Sequence, residues 1–245
     1  MVMGYLDLKE NGIRLYRGSI FNHDFLWFSS SEIAQVSSTW PILHNYALTY
    51  ALGQFSYGLS VGTMPTYEED LPKIPLYPTP ALNYRAKKCS LALNAIDDLT
   101  QRTDTGGKLN TPSLATRIVI VPEKKRKSDA KKKAEEGYIL YCFVWDEYRL
   151  PGAFRLGKKG CAMRAFWEEI DAERAIFTEE PVIPAHPVNP LDIAGELVWY
   201  EPVAIPPHMV FRRAQIKGDY FVTDKNRMVL LPKRIQERIL NGYKN

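Results

Sequence analysis

The segment from Arg155 to Arg164, with the sequence RLGKKGCAMR, combines residue types that could bind a phosphodiester backbone. Gly157 and Gly160 enclose two lysines, Lys158 and Lys159. Glycine allows a backbone to turn tightly and to approach a partner closely. Consecutive free N–H groups in such a turn form a concave anion site, and the lysines add positive charge. The pattern predicts an RNA-contacting loop, with a plain basic surface turn as the alternative. The spacing is too short for a nucleotide P-loop.

Three residues at the edges of this loop have open alternatives. Arg155 and Arg164 could pair with phosphates or stack on splayed bases, because a guanidinium is planar and always charged. For Arg164 the competing interpretation is an ion pair with Glu168 or Glu169. Cys161 stands beside two cations that could lower the pKa of its thiol, but a packing cysteine is the more ordinary interpretation.

Elsewhere the sequence shows no recognisable set of catalytic residues. His44 and Tyr46 are the pair that RNA cleavage could use, but they are two residues apart on a predicted helix and would diverge. We therefore expect His44 to be a structural histidine. The acidic runs 68–70 and 97–98 do not converge from separate elements as a metal nuclease requires. No catalytic residue, metal site or cofactor is predicted.

Composition restricts the class of protein. The chain has 245 residues, of which 45% are hydrophobic, with a net charge of +4. The three cysteines, Cys89, Cys142 and Cys161, suit neither a disulfide framework nor a zinc site. No apolar run approaches the length of a membrane span, and no signal peptide is visible. These features predict a cytoplasmic protein with reduced thiols and no membrane partner.

Hydrophobic patterns place the main elements. Strands are predicted within residues 13–28, with a turn at 22–24, and within residues 138–145. A helix is predicted to begin at Pro41 and to end at Gly53. Its broad apolar face would pack on the sheet. Strands interspersed with few helices and long irregular insertions predict an α+β fold with a mainly antiparallel sheet.

Other segments are less regular. Residues 64–80 contain five prolines and are predicted to be an extended loop. Residues 162–175 could continue as a strand or partly as a helix. Beyond residue 181, strand-like segments precede a helix that opens after Pro232 and buries Ile235 and Ile239. The aromatic side chains of residues 138–145 are expected in the core. Because the aromatic motif of RNA recognition motifs is absent, no base stacking on the sheet is predicted.

Two further stretches are rich in basic residues. Residues 84–117 are predicted to be an excursion, a segment that leaves the core and returns to it. It carries Arg85, Lys87, Lys88, Arg102, Lys108 and Arg117. Residues 123–136 lack large apolar side chains and are predicted to be a flexible loop. That loop carries Lys124, Lys125, Arg126, Lys127, Lys131, Lys132 and Lys133. It is either a solvated tether or a nonspecific nucleic-acid contact.

Several segments together resemble a known family. Residues 41–48 (PILHNYAL), 65–71 (PTYEEDL) and 79–81 (TPA) resemble segments of the Csc one family, the Cas five-like subunit of type I-D CRISPR Cascade. The run LGKKGC at 156–161 resembles a loop of the wider Cas five group, in which a serine replaces Gly160 and a proline replaces Ala162. The resemblance runs from about residue 13 to the 160s and is weakest after residue 181.

The resemblance implies a fold and a set of partners. It implies a single ferredoxin-like, RRM-like RAMP unit over residues 1–245, with a protruding thumb for which residues 84–117 are the candidate. It also implies that the subunit caps the 5′ handle of the CRISPR RNA. The implied partners are that RNA, a Cas seven-like backbone subunit, a Cas ten-like large subunit and target DNA near the PAM.

The function predicted on this basis is noncatalytic RNA binding and assembly in antiviral DNA targeting. A separate Cas six-like endonuclease normally processes the guide in type I-D systems, so the resemblance leaves this chain no obvious catalytic task. One alternative is a metal-independent endoribonuclease that processes precursor CRISPR RNA. Another is a subunit that contacts only proteins.

Overall fold

The computed structural model describes residues 7–33, 36–57, 65–94, 114–122, 137–158, 160–171, 175–223 and 226–242. Within these ranges the chain is a mixed structure of three sheets and few helices, as predicted. The helices are α1 Asn45–Tyr57, α2 Tyr67–Asp70 and α3 Lys233–Gly242, with 3-10 turns at Leu71–Lys73 and Pro190–Asp192. The strands are β1 Arg14–Asn22, β2 Ser31–Ile33, β3 Val36–Ser38, β4 Ile42–Leu43, β5 Leu76–Pro78, β6 Ala81–Leu82, β7 Lys88–Asn94, β8 Leu114–Ile120, β9 Tyr138–Val144, β10 Ala153–Leu156, β11 Cys161–Ile170, β12 Ala175–Val182, β13 Glu196–Val203, β14 Val210–Val222 and β15 Met228–Leu230.

The largest sheet has seven strands in the order β10-β11-β1-β9-β6-β4, with β5 also paired to β9. Every pairing in it is antiparallel. The predicted strands within 13–28 and 138–145 are its two central members, β1 and β9. Between residues 162 and 175 the strand alternative is confirmed, because β11 runs to Ile170 and pairs along β1.

The two faces of this sheet are covered differently. On one face, Leu48 and Leu52 of α1 pack against Ile20, Leu140 and Met163. Each such fully buried side chain contributes about 1.5–3 kcal/mol to folding. On the other face, the C-terminal region covers the half that carries Leu15, Tyr141 and Phe143, through Phe221 and Ile235. The remaining half of that face stays exposed at Arg164 and Phe166.

The C-terminal region forms a second sheet in the order β12-β14-β13, with β15 paired to β14. It contains the predicted strand segments, two of which are joined in the single 13-residue strand β14. The predicted terminal helix is α3, which buries Ile235 and Ile239 as expected. Its amphipathic spacing directs both side chains to the same core.

A third sheet has the order β2-β3-β8-β7, in which β3 and β8 are parallel. Strands β7 and β8 pair antiparallel and form the base of the excursion predicted as a thumb. Residues 95–113, with Arg102 and Lys108, lie outside the described residues. So does the whole lysine-rich stretch 123–136, with Lys124, Lys125, Arg126, Lys127, Lys131, Lys132 and Lys133.

Two element predictions are wrong. The segment after Pro41 is the strand β4, paired with β6, and the helix begins only at Asn45. The helix also continues through Gly53 to Tyr57. Gly53 serves close packing instead of ending the helix, because an added Cβ there would lie 2.4 Å from Ile74 Cγ2. Residues 64–80 are not all extended, since they include α2, a 3-10 turn and β5.

Candidate nucleic-acid interface

The glycine–lysine segment connects β10 to β11 as a tight turn. The Gly160 N–H donates to the Gly157 carbonyl at 3.0 Å, which closes the turn. Both glycines have positive φ, +83° and +60° respectively, in the region that favours glycine. A Cβ on Gly157 would lie 2.8 Å from the Trp27 carbonyl oxygen, whereas a Cβ on Gly160 would meet nothing closer than 3.8 Å. Gly157 therefore permits close backbone contact, and Gly160 permits only the turn.

The predicted anion site made of free backbone N–H groups is wrong for this turn. The Lys158 N–H donates to the Trp27 carbonyl at 3.0 Å, and the Gly160 N–H is used within the turn. Both amides are therefore engaged and cannot cradle a phosphate. The positive character of the loop comes from side chains, of which Lys158 is exposed. Lys159 lies outside the described residues.

Three side chains from distant parts of the chain meet beside the loop, and we call them the Trp27 junction: Trp27, Arg117 and Lys158. The Arg117 guanidinium carbon lies 3.6 Å from the Trp27 ring centroid, and Lys158 Nζ lies 5.2 Å from it. Cations over an indole face are attracted by its quadrupole. The indole N–H donates to Ser37 Oγ at 3.2 Å, which fixes the ring. The junction thus brings two cations to the same buried aromatic ring.

The chain after β1 builds this junction by bridging two sheets. The His23 N–H donates to the Ala162 carbonyl, and Leu26 exchanges two backbone hydrogen bonds with Ile120 of β8. The first contact ties the segment to β11 and the second ties it to the third sheet. Arg117 lies on β8 opposite Ser37 of β3, so that its side chain reaches the indole. Sheet register therefore decides which basic residue meets the loop.

The other basic residues at the base of the excursion lie on the same sheet. Arg85, Lys87 and Lys88 are exposed around the start of β7. Lys88 Nζ lies 5.2 Å from the centroid of the Trp40 ring, and burial lowers the pKa of this lysine. Lys88 shares the sheet with Arg117 but lies over a second tryptophan, while Arg85 and Lys87 precede the strand.

Arg155 and Arg164 form a separate group on the exposed half of the large sheet. Arg155 Nη1 donates to the Gly160 carbonyl at 2.8 Å. The Arg164 guanidinium carbon lies 5.1 Å from the Phe166 ring centroid. The proposed partners of Arg164 have other contacts, because Glu168 lies 3.8 Å from the guanidinium of Arg17 and Glu169 accepts from Tyr16 Oη. The predicted RNA-contacting residues thus divide into two groups on either side of the hairpin.

Cys161 is a packing cysteine. Its side chain is buried in the core beneath α1, and its Sγ lies 3.4 Å from the Asp24 carbonyl oxygen. Burial raises the pKa of the thiol, so the alternative of a depressed thiol pKa is wrong. Any contact that Cys161 makes with RNA would have to come from its backbone.

His44 and Tyr46 do not diverge, contrary to the sequence prediction. His44 precedes the helix, and its Nδ1 accepts the Tyr46 N–H at 3.1 Å. The two rings lie 4.9 Å apart, and His208 packs 4.6 Å from His44. Burial and the neighbouring His208 lower the pKa of His44 to about 3. As predicted, His44 is a buried structural histidine, but the reason is its position before the helix.

Sequence reasoning missed Trp27 altogether. A tryptophan after a strand is ordinary core material, and only the fold shows that two cations lie on its face. Among the described residues, no three His, Cys, Asp or Glu side chains are grouped as metal ligands. None of the described helices is long and apolar enough to cross a membrane.

Comparisons with known proteins agree with the resemblance in the sequence. The family model described as type I-D CRISPR-associated protein Cas5/Csc1 matches residues 13–238. The search of curated proteins found no match. A chain in the cryo-EM structure of the type III-B Cmr-beta complex, bound to cognate target RNA and AMPPnP, is 12% identical. The similarity covers 92% of this chain and 88% of that one at a TM-score of 0.45, which does not establish a common fold. Because the family model spans nearly the whole sequence, the chain belongs to the type I-D CRISPR-associated Cas5/Csc1 family.

Proposed function

We propose that this chain is a noncatalytic RNA-binding subunit of a type I-D CRISPR Cascade complex. It caps the 5′ handle of the CRISPR RNA and joins the Cas seven-like backbone to the Cas ten-like large subunit. Family membership supports the CRISPR context. The observation that carries RNA binding is the Trp27 junction, where Arg117 and the exposed Lys158 lie beside the same buried indole ring. Cations gathered at one place bind RNA through its phosphates.

The order of strands supports a ferredoxin-like RAMP core. A β-α-β-β-α-β unit of this type places its fourth strand beside the first, then the third, then the second. Here β11, β1 and β9 lie side by side, with β5 and β6 beyond β9. Helix α1 follows β1 in the chain and covers the sheet, as the first helix of such a unit does. The short strand β10 occupies the place in the chain where the second helix of that unit would come.

Side chains are the phosphate ligands in this proposal. The backbone amides of Lys158 and Gly160 are engaged within the protein, so charge must come from Lys158, Lys159 and Arg117. Gly157 keeps the hairpin against Trp27, and this fixes the origin of the Lys158 side chain. Arg85, Lys87 and Lys88 extend the cationic surface along β7 toward the thumb, where Arg102 and Lys108 follow in the sequence. The lysine-rich stretch 123–136 makes a further contact with nucleic acid, and this nucleic acid includes the target DNA near the PAM.

The test measures RNA binding as a function of salt concentration. The double variant Lys158→Ala/Lys159→Ala is compared with wild type on a single-stranded RNA of the repeat-derived 5′ handle. Each lost phosphate contact lowers the salt slope by about 0.7, because fewer counterions are released. A matched control is Lys233→Ala, an exposed lysine on α3. Unchanged slope and affinity in the double variant would exclude these lysines as phosphate ligands.

The endoribonuclease alternative rests on the contact between His44 and Tyr46. Against it, His44 is buried, its pKa is near 3, and its Nδ1 already accepts a backbone hydrogen bond. A general base needs a pKa near the working pH and reach to the substrate. The assay is cleavage of repeat RNA in EDTA, with His44→Ala beside wild type. Specific cleavage that the substitution abolishes would establish the enzyme and refute the noncatalytic role.

A further inference from the structure

Two phenylalanines lie on the half of the large sheet that no other element of the described residues covers. Phe21 is on β1 and Phe166 is on β11, and their ring centroids are 5.9 Å apart in an edge-to-face arrangement. Phe166 leaves 43% of its surface exposed. A phenylalanine on a sheet face ordinarily packs against a covering layer. Phe166 is thus an exposed ring beside a half-buried one, and exposed apolar surface of this kind offers a contact site.

Register explains why these side chains point the same way. Directly paired residues share a face of an antiparallel sheet. Phe21 pairs with Arg164, and Ser19 pairs with Phe166, so all four side chains lie on one face. Along β11, Cys161, Met163 and Ala165 are buried while the residues between them are exposed. The strand therefore directs Arg164 and Phe166 away from α1 and toward solvent.

Positive charge flanks the aromatic pair. Arg164 lies over the Phe166 ring at 5.1 Å. Arg155 pairs with Ala162, two residues before Arg164, and so lies on the same face at the start of the loop. On the far side, Glu168 faces the buried guanidinium of Arg17 at 3.8 Å, which offsets its negative charge. The exposed surface at the aromatic pair is therefore cationic.

The lysine-rich stretch joins the sheet at this same place. It ends at residue 136, and Gly137 has a φ of +86°. A Cβ on Gly137 would lie 2.5 Å from the Ile20 carbonyl oxygen and 3.0 Å from Phe21 Cε1. The glycine thus lets the chain enter beside the Phe21 ring. Seven basic and four acidic residues precede it in sequence, within residues 123–136.

We propose that Phe166 and Phe21, with Arg164, form a stacking platform for an unpaired base of single-stranded RNA. The proposal rests on the proposed RNA-binding function and adds a second contact area, on the opposite side of the β10–β11 hairpin from the Trp27 junction. Every base has a π face, so an aromatic platform accepts any sequence, and an arginine beside it adds cation–π attraction and a phosphate contact. The sequence predicted no base stacking on the sheet, because the aromatic motif of RNA recognition motifs is absent and residues 21 and 166 meet only through register.

The experiment uses the full-length protein and a single-stranded RNA probe that carries one 2-aminopurine, whose fluorescence falls on stacking. Phe166→Leu retains an apolar side chain of similar size on the strand and removes the ring. Phe166→Trp restores a ring. The matched control is Phe177→Leu, because Phe177 is an even more exposed phenylalanine on the second sheet. Thermal unfolding of each variant confirms that the fold is retained.

Phe166→Leu should weaken RNA binding about tenfold and abolish the quenching, with no change in salt slope, because no phosphate contact is lost. Phe166→Trp should restore both readouts, and Phe177→Leu should behave as wild type. Wild-type affinity and quenching in Phe166→Leu would overturn the platform, while a lowered slope in the Lys158/Lys159 double variant would leave the proposed function standing. If Phe166→Leu binds RNA normally but the assembled complex lacks a protein subunit, the surface is a docking site for protein. That result would also overturn the proposal.

Discussion

The Trp27 junction and the polar network around Asn45 are both clusters of hydrogen-bonding and charged groups, but they are built in opposite ways. In the network, Asp192 accepts from Tyr77 Oη at 2.6 Å and from Asn45 Nδ2 at 3.2 Å. Asn189 Nδ2 donates to Asn45 Oδ1, and Asn189 Oδ1 accepts from the Leu191 N–H and from His208 Nε2 when that nitrogen is protonated. At the junction, Arg117 and Lys158 both contact the buried Trp27 ring, but Lys158 itself is exposed.

The difference separates a structural role from a binding role. Buried polar groups must be paired within the protein, because an unmet donor costs about 1–3 kcal/mol. The Asn45 network is paired in this way, and it connects the start of α1 and strand β5 to the 3-10 turn between β12 and β13. Lys158 remains exposed, so its charge stays available to a ligand. Substitutions should therefore affect stability at the network and RNA binding at the junction.

The largest effect on stability is expected at Asp192. Asp192→Ala removes the acceptor shared by Tyr77 and Asn45, which leaves the buried Tyr77 hydroxyl without its acceptor and Asn45 Nδ2 with only its 3.4 Å contact to Tyr77 Oη. The free energy of unfolding should fall by about 2–4 kcal/mol, measured by denaturant titration. RNA affinity of the folded fraction should stay at the wild-type value. The control is Asp146→Ala, which removes an exposed ion pair with Arg238 and should cost less than about 1 kcal/mol.

The two glycines of the loop give the next largest contrast. Gly157→Ala places a Cβ against the Trp27 carbonyl in a left-handed conformation, and should cost about 2–3 kcal/mol. Gly160→Ala has a similar φ but open space around the Cβ, and should cost only about 1 kcal/mol. Thermal unfolding checks both values. Equal losses would show that strain alone, rather than backbone contact with Trp27, governs the turn.

Lowering the pH should reduce the free energy of unfolding through buried histidines rather than through the Trp27 junction. His186 Nε2 accepts the Leu230 N–H, and burial lowers the pKa of His186 to about 4. The unfolded chain, with a histidine pKa near 6.5, binds the proton more readily. Stability is therefore full above pH 6.5 and falls as pH decreases toward 4, by about 1 kcal/mol between pH 7 and 5.5.

The check on this pH dependence is denaturant unfolding at several pH values. His44, whose pKa is also lowered by burial, contributes with the same sign. His186→Gln should make the decline less steep even if it lowers stability overall. A decline of unchanged steepness in that variant would assign the effect to other groups.

The smallest effect on stability is expected at the junction itself. Lys158→Ala removes an exposed cation from its contact with the Trp27 ring, and should change the free energy of unfolding by about 0.5–1 kcal/mol at most. The same variant should lower the salt slope of RNA binding by about 0.7. A loss of more than about 2 kcal/mol would mean that the lysine is structural, and would remove the contrast with the Asn45 network.

The sequence by itself determined the central strands, the terminal helix, the family and the basic loop. Those features depend on local information: alternation along β9, the spacing of Ile235 and Ile239, and glycines around lysines. The family match over residues 13–238 confirms the resemblance that short segments had indicated.

Only the tertiary structure decided which of these residues act together. Pro41 was misread as a helix start because pairing of Ile42 and Leu43 with β6 is invisible to local pattern. The amides of the loop were expected to be free, but the Trp27 carbonyl, more than a hundred residues earlier in the segment after β1, accepts one of them. Trp27 with Arg117, and Phe21 with Phe166, meet through sheet register. Register is set by the whole set of buried side chains, which no short segment contains.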